Sequence, residues 1–173
     1  MKQKKTRDIL LIVVAIIFVG AMGYFVLIKK PAVVIIPTPV QETSLVYNNI
    51  QYGFDFSLPF SWKGYSIISQ NWNGTMIDIQ TNQSVEGPEI LIRHPLWTSL
   101  SPRQDIPIMI FTISQWNLIQ QERLSVGAAP IPPSELGRNV NYVFAIPARY
   151  NFAFLTGFEE VEQIIANNSL HSF

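Results

Sequence analysis

The chain has 173 residues, no cysteine, and 12 Lys and Arg balanced by 12 Asp and Glu. The balance hides an asymmetry: residues 1–30 carry six basic residues against Asp8, whereas residues 31–173 carry six basic against eleven acidic ones. An acidic body without clustered Lys and Arg argues against nucleic-acid binding, and the lack of cysteine rules out disulfides, thiolate metal sites and cysteine acylation.

The first element is the uncharged run Ile9 to Ile28, ILLIVVAIIFVGAMGYFVLI, behind the basic head MKQKKTR. A helix rising about 1.5 Å per residue reaches roughly 30 Å over such a run, the hydrocarbon thickness of a bilayer. Lys2, Lys4, Lys5 and Arg7 precede it and only Lys29 and Lys30 follow, which by the positive-inside rule predicts a cytoplasmic head (1–8), a single-pass signal-anchor helix (9–28) and an extracytoplasmic remainder. Cleavage near Ala21-Met22-Gly23 is the competing reading, but it would leave YFVLI at a new terminus. Gly20 and Gly23 lack the four-residue offset of a small-residue dimer motif. The predicted partner of this run is the lipid bilayer, with the basic head meeting anionic headgroups.

Residues 29–46 read as a linker. Pro31, Pro37 and Pro39 favour extended polyproline-like geometry, although the apolar VVII could instead add an edge strand. A single extracytoplasmic domain is then expected over 47–173. In QYGFDFSLP, Tyr52, Phe54, Phe56 and Leu58 alternate with small or polar residues, as in a half-buried strand. GYSIIS and TMIDIQ, with Ile77 and Ile79 on one side, are predicted to flank a hairpin turn at Asn71-Trp72-Asn73-Gly74. EILIRH follows as a strand bounded by Pro88 and Pro95, and PIMIFT as a buried strand. SQWNLIQQERL reads as a helix capped by Ser114 and burying Trp116 and Ile119. LSVGAAP reads as a short strand, PPSELG as a turn ended by Gly137, and NYVFAIP as a strand. The last helix, GFEEVEQIIANNSL, has capping-box spacing at Thr156 and Glu159, acidic residues at its start, and an apolar stripe of Phe158, Val161, Ile164 and Ile165. The predicted class is α+β, a largely antiparallel sheet with flanking helices.

The segment YNNIQYGFDFSLPFSWKGYSI resembles the first hairpin of PsbP-like domains through Tyr52, Gly53, Phe54, Phe56, Pro59 and Trp62. The segment VGAAPIPPSELGRNVNYVFAIPARYNFAF is similar to a group of uncharacterised bacterial single-span membrane proteins. The PsbP-like resemblance implies an antiparallel sheet with flanking helices and a role in assembly by binding rather than by catalysis.

Candidate sites are few. His94 shares a strand face with Ile90 and Ile92, where a hydrogen-bonded structural histidine competes with a catalytic or metal-binding one. Two distant histidines give no zinc spacing, and His171 lies near the chain end, where disorder is common. Glu159 to Glu162 lacks the spacing of a calcium loop, and no cofactor is expected. A Ser-His94-Asp105 triad can be drawn, but no nucleophile elbow accompanies it. Three Asn-x-Ser/Thr triplets, at Asn73, Asn82 and Asn167, matter only in a host that glycosylates. Phe152, Phe154 and Phe158 near Arg149 and Tyr150 are expected to pack the last helix on the sheet. The competing reading makes Arg149, Tyr150, Phe152 and Phe154 an interaction patch, with Arg93, Trp97 and Arg103 as a second. The reading favoured by the sequence is a membrane-anchored extracytoplasmic binding or assembly module and not an enzyme. An envelope-bound hydrolase with dispersed catalytic residues is the alternative.

Overall fold

Phe54, Phe56 and Leu58 recur at every second residue in a strand that turns one face into a core, whereas residues 106–111 form a strand buried on both faces because two cores meet across it. The computed structural model describes residues 44–77, 83–127 and 131–173, which belong to one compact unit, Gln41–Phe173. The predicted span Ile9 to Ile28, its head and most of the linker lie outside the described residues. Among the described residues no helix is long and apolar enough to cross a membrane.

A three-stranded sheet of order β1-β2-β9 comprises β1 (Ser44–Asn49), β2 (Phe54–Pro59) and β9 (Leu170–Ser172). A six-stranded sheet of order β6-β3-β4-β5-β8-β7 comprises β3 (Ser66–Met76), β4 (Gln83–Arg93), β5 (Ile106–Thr112), β6 (Leu124–Val126), β7 (Ser134–Arg138) and β8 (Tyr142–Ile146). All of these strand pairs are antiparallel. Among the described residues two helices, α1 (Ile113–Gln120) and α2 (Phe158–Ala166), complete an α+β domain.

Phe54, Phe56 and Leu58 of β2 pack on Ile90 and Ile92 of β4, on Ile106, Ile108 and Ile110 of β5 and on Phe144 of β8; α2 adds Val161 and Ile164. On the opposite face of the six-stranded sheet, Trp116 and Ile119 of α1 pack on Trp72, Met109, Phe111, Val143 and Ala145. β5 contributes to both cores, so its residues from Ile106 to Phe111 are all buried. Each such side chain contributes about 1.5–3 kcal/mol on leaving water. Away from the cores, Asn139 ties the sheets together by donating to the Tyr52 carbonyl at 2.8 Å, while the Ser172 hydroxyl donates to the Arg138 carbonyl at 2.6 Å.

Several local expectations are corrected by tertiary contacts. The hairpin expected at Asn73-Gly74 does not form, because β3 runs unbroken through it. Gly74 serves a close approach of β6: a β-carbon there would stand 2.7 Å from the Ser125 carbonyl oxygen. Pro88 lies inside β4 instead of ending it; β5 pairs with β4 only from Glu89 to Ile92, so Pro88 sits where β4 has a single neighbour, β3. The cap of α1 is Thr112 and not Ser114, in a capping box with Gln115. SELGR is strand β7, bulged between Glu135 and Gly137, and not a turn. The expected Thr156 and Glu159 capping box is absent: Gly157, at φ 86°, caps α2, while Thr156 bridges to Arg103. His171 is not in a disordered tail but in β9, opposite Asp55. β1, which begins at Ser44, was not among the expected strands.

Candidate functional site

Antiparallel pairing gathers the end of β4, the start of β5, the start of β3 and the end of β8 at one end of the large sheet. Three connections therefore meet there: the 3-10 turn Phe60–Trp62 with residues 63–65, the 94–105 loop, and the 147–157 loop leading into α2. They are joined by specific contacts. The Trp62 and His94 rings meet edge-on with centroids 5.0 Å apart. The Gln104 backbone N–H donates to the Thr156 carbonyl at 3.0 Å, and its side-chain amide donates to the Tyr150 carbonyl at 3.1 Å. Ser61 donates its hydroxyl proton to Glu160 at 2.8 Å, and the Arg103 guanidinium lies 3.9 Å from the same carboxylate.

His94, 5% exposed, accepts the Leu96 N–H through Nδ1 at 3.1 Å. That bond requires a deprotonated Nδ1. Burial, reinforced by the Arg103 charge and opposed by Glu160, holds its pKa below the ordinary histidine value. The drawn Ser-His94-Asp105 triad is not assembled, because both Asp105 oxygens face Arg93, at 2.7 Å from Nη2 and 3.1 Å from Nε. Arg93 also lies over the Trp97 ring, 3.9 Å from its centroid. Arg103 is turned away from that pair towards Glu160, so the second candidate patch is only partly brought together.

The 147–157 loop is a run of tight turns: Phe152 N–H donates to the Arg149 carbonyl at 3.0 Å, Phe154 N–H to Asn151 at 2.9 Å, and Phe158 N–H to Leu155 at 3.0 Å. Its base is fixed by Tyr150, which packs against the first core and whose phenol pKa is raised by burial and then by Glu162. Asn151 is bonded to the same Glu162. Its tip is solvent-exposed. Phe152 is 76% exposed and Phe154 68%, contrary to the expectation that both rings pack α2 on the sheet. Arg149 is exposed as well. Phe158 is half-buried and meets Phe154 edge-on with centroids 5.2 Å apart. Arg149 and Phe154 have φ of 59° and 48°, a left-handed conformation that costs a bulky L-residue roughly 1 kcal/mol.

The same end exposes three apolar residues that the sequence did not single out: Leu96, Leu100 at 97%, and Phe60 with the Lys63 ammonium 5.0 Å from its ring centroid. Their signal was faint, single apolar residues scattered through a Pro-containing polar loop. Grooves of about 420 and 470 Å³ are lined by other residues, the second bordering this end at Pro59 and Glu160. One is lined by Ile119, Leu124, Ile131 and Pro133; the other, beside α2, by Ser57, Glu160, Gln163 and His171. Among the described residues no hydrogen bond joins His171 to a serine or a carboxylate, and no group of three His, Asp or Glu is placed to hold a metal ion. Glu160 and Glu162 are engaged by Ser61 and Asn151.

Compared with known proteins, the chain matches no family model, no curated protein and no solved structure.

Proposed function

We propose that this chain is a membrane-anchored extracytoplasmic module, with a PsbP-like domain, that works by binding rather than by catalysis and engages its partner through the end where the 60–65, 94–105 and 147–157 connections meet. The anchor rests on the uncharged run Ile9 to Ile28 and its flanking charges. The single observation that carries the binding reading is the display of Phe152 and Phe154 in water on a loop whose base is pinned by Tyr150 and Asn151. A loop whose base is fixed by hydrogen bonds loses less conformational entropy on association, and aromatic side chains are enriched at interaction surfaces. The hydrolase alternative finds less support, since His94 spends Nδ1 on a backbone N–H and Asp105 faces Arg93.

The test uses the full chain in intact cells, with a photo-crosslinking amino acid at position 152 or at the exposed Val140 of the distal β7–β8 turn. Adducts at 152 that are lost on Phe154→Ser and absent at 140 are the expected outcome. Equal inertness at both positions removes the binding surface. Release of the full chain from membranes by alkaline carbonate removes the anchor.

A further inference from the structure

We infer that the partner of this end of the domain is the lipid bilayer itself, with Phe60, Leu96, Leu100, Phe152 and Phe154 entering the boundary between headgroups and acyl chains. The inference rests on the anchored reading above and names what its surface meets. The five exposed apolar side chains come from three separate connections, with Phe154 edge-on against Phe158 and the Lys63 ammonium over Phe60, and none of the five lines either groove described above. Projecting Phe and Leu suit a fluid acyl layer, which closes around each one, whereas a protein partner must supply a matching pocket for each.

The charges fit the same occupant. Asp105 is held by Arg93, and Glu160 by Arg103 and Ser61, so the carboxylates inside this end are already matched. Lys63 and Arg149 remain solvent-facing beside the apolar tips, where long cationic side chains can reach phosphate oxygens while their stems lie along apolar groups. Glu159 and Glu162 of α2 are exposed carboxylates at this end and offset Lys63 and Arg149, so the end has no strong single-sign field and apolar insertion is the main attraction. Finally, the chain enters the domain here. Ser44 pairs with Pro59, the residue before Phe60, and stands 44 − 28 = 16 positions after the last residue of the apolar run, Ile28.

Because the chain contains no cysteine, single labels can be placed cleanly. The full chain is reconstituted in phosphatidylcholine vesicles with an environment-sensitive dye on Leu100→Cys or on Val140→Cys, and the vesicles are prepared with and without lipids carrying a shallow spin label. Quenching several-fold stronger at 100 than at 140, reduced when Phe152→Ser and Phe154→Ser are combined, is the expected result. Equal quenching at the two positions overturns the inference. So does shielding at 100 that needs added membrane proteins, which indicates a protein partner, or shielding that rises with protein density, which indicates a second copy. Flotation of the same vesicles separates the two claims. A chain that fails to float overturns the anchored reading, whereas one that floats with a water-exposed label at 100 overturns only the lipid contact.

Discussion

Gly87 stands directly opposite Trp72 on the neighbouring strand, and its lack of a side chain is what lets the indole lie flat across β4. A β-carbon at position 87 would be 2.6 Å from Trp72 Cε2 and 2.8 Å from Nε1, far inside contact distance and against a rigid ring. In Gly87→Ala the indole must therefore move, and with it the bond that its N–H donates to the Ile110 carbonyl at 2.9 Å. Overpacking of a filled core costs about 1–3 kcal/mol, and stripping a buried donor of its acceptor adds about 1–3 kcal/mol. Restricting the unfolded chain returns only about 0.5–1 kcal/mol. A net loss of about 2–4 kcal/mol is expected, a large share of the roughly 5–15 kcal/mol that holds a domain folded. Urea unfolding of the Gln41–Phe173 unit, followed by tryptophan fluorescence, measures it. Gly127→Ala is the control: its φ is 74° but nothing lies within 4 Å of an added β-carbon, so it costs only the left-handed penalty of about 1 kcal/mol. If the two substitutions cost the same, or if Gly87→Ala is neutral, the packing of Trp72 against Gly87 is refuted.

Thr112→Ala removes the capping box of α1, in which Gln115 N–H donates to the Thr112 hydroxyl at 3.2 Å and Thr112 N–H donates to the Gln115 side chain at 2.9 Å; a loss of about 1 kcal/mol is expected, with Thr112→Ser retaining most of it. His94 has a folded-state pKa below its unfolded value, so its contribution to stability is complete above about pH 6.5, declines as pH falls from there to the folded value, and is constant below that. Unfolding at about pH 7.5 and about pH 5 should accordingly show a smaller acid loss in His94→Gln than in the parent; an equal or larger loss in the variant contradicts the neutral buried imidazole. Phe152→Ser should shift the unfolding midpoint by no more than about 0.5 kcal/mol while abolishing adducts formed at neighbouring positions of the loop, and a large stability loss would show that the ring is packed.

Much of the secondary structure was legible because its cause is local. Alternation at Phe54, Phe56 and Leu58, the apolar run of β5, and the stripe at Val161 and Ile164 each state which face must leave water, whatever they pack against. Three of the errors share one origin. Asn73-Gly74, Pro88 and Ser134 to Gly137 carry turn-forming residues, and all lie within strands, because an approaching β6, a missing second neighbour and the pairing with β8 override local preference. The interaction patch was readable only as a choice. Phe152, Phe154 and Phe158 are chemically alike, and burial distinguishes them through the turns that point the first two outward and the third half inward.

The sequence by itself determined what kinds of surface this protein must hide: one uncharged run long enough for a bilayer, and alternating apolar faces that demand a sheet with helices against it. Side-chain period and run length follow from bond geometry and need no knowledge of neighbours. Only the tertiary structure decided that β5 would be shared by two cores, that His94 would spend its nitrogen on the chain beside it, and that five apolar side chains from three distant segments would stand exposed at one end. Those outcomes depend on which strands become neighbours, and that pairing is set by the packing of the whole domain rather than by any short stretch of it.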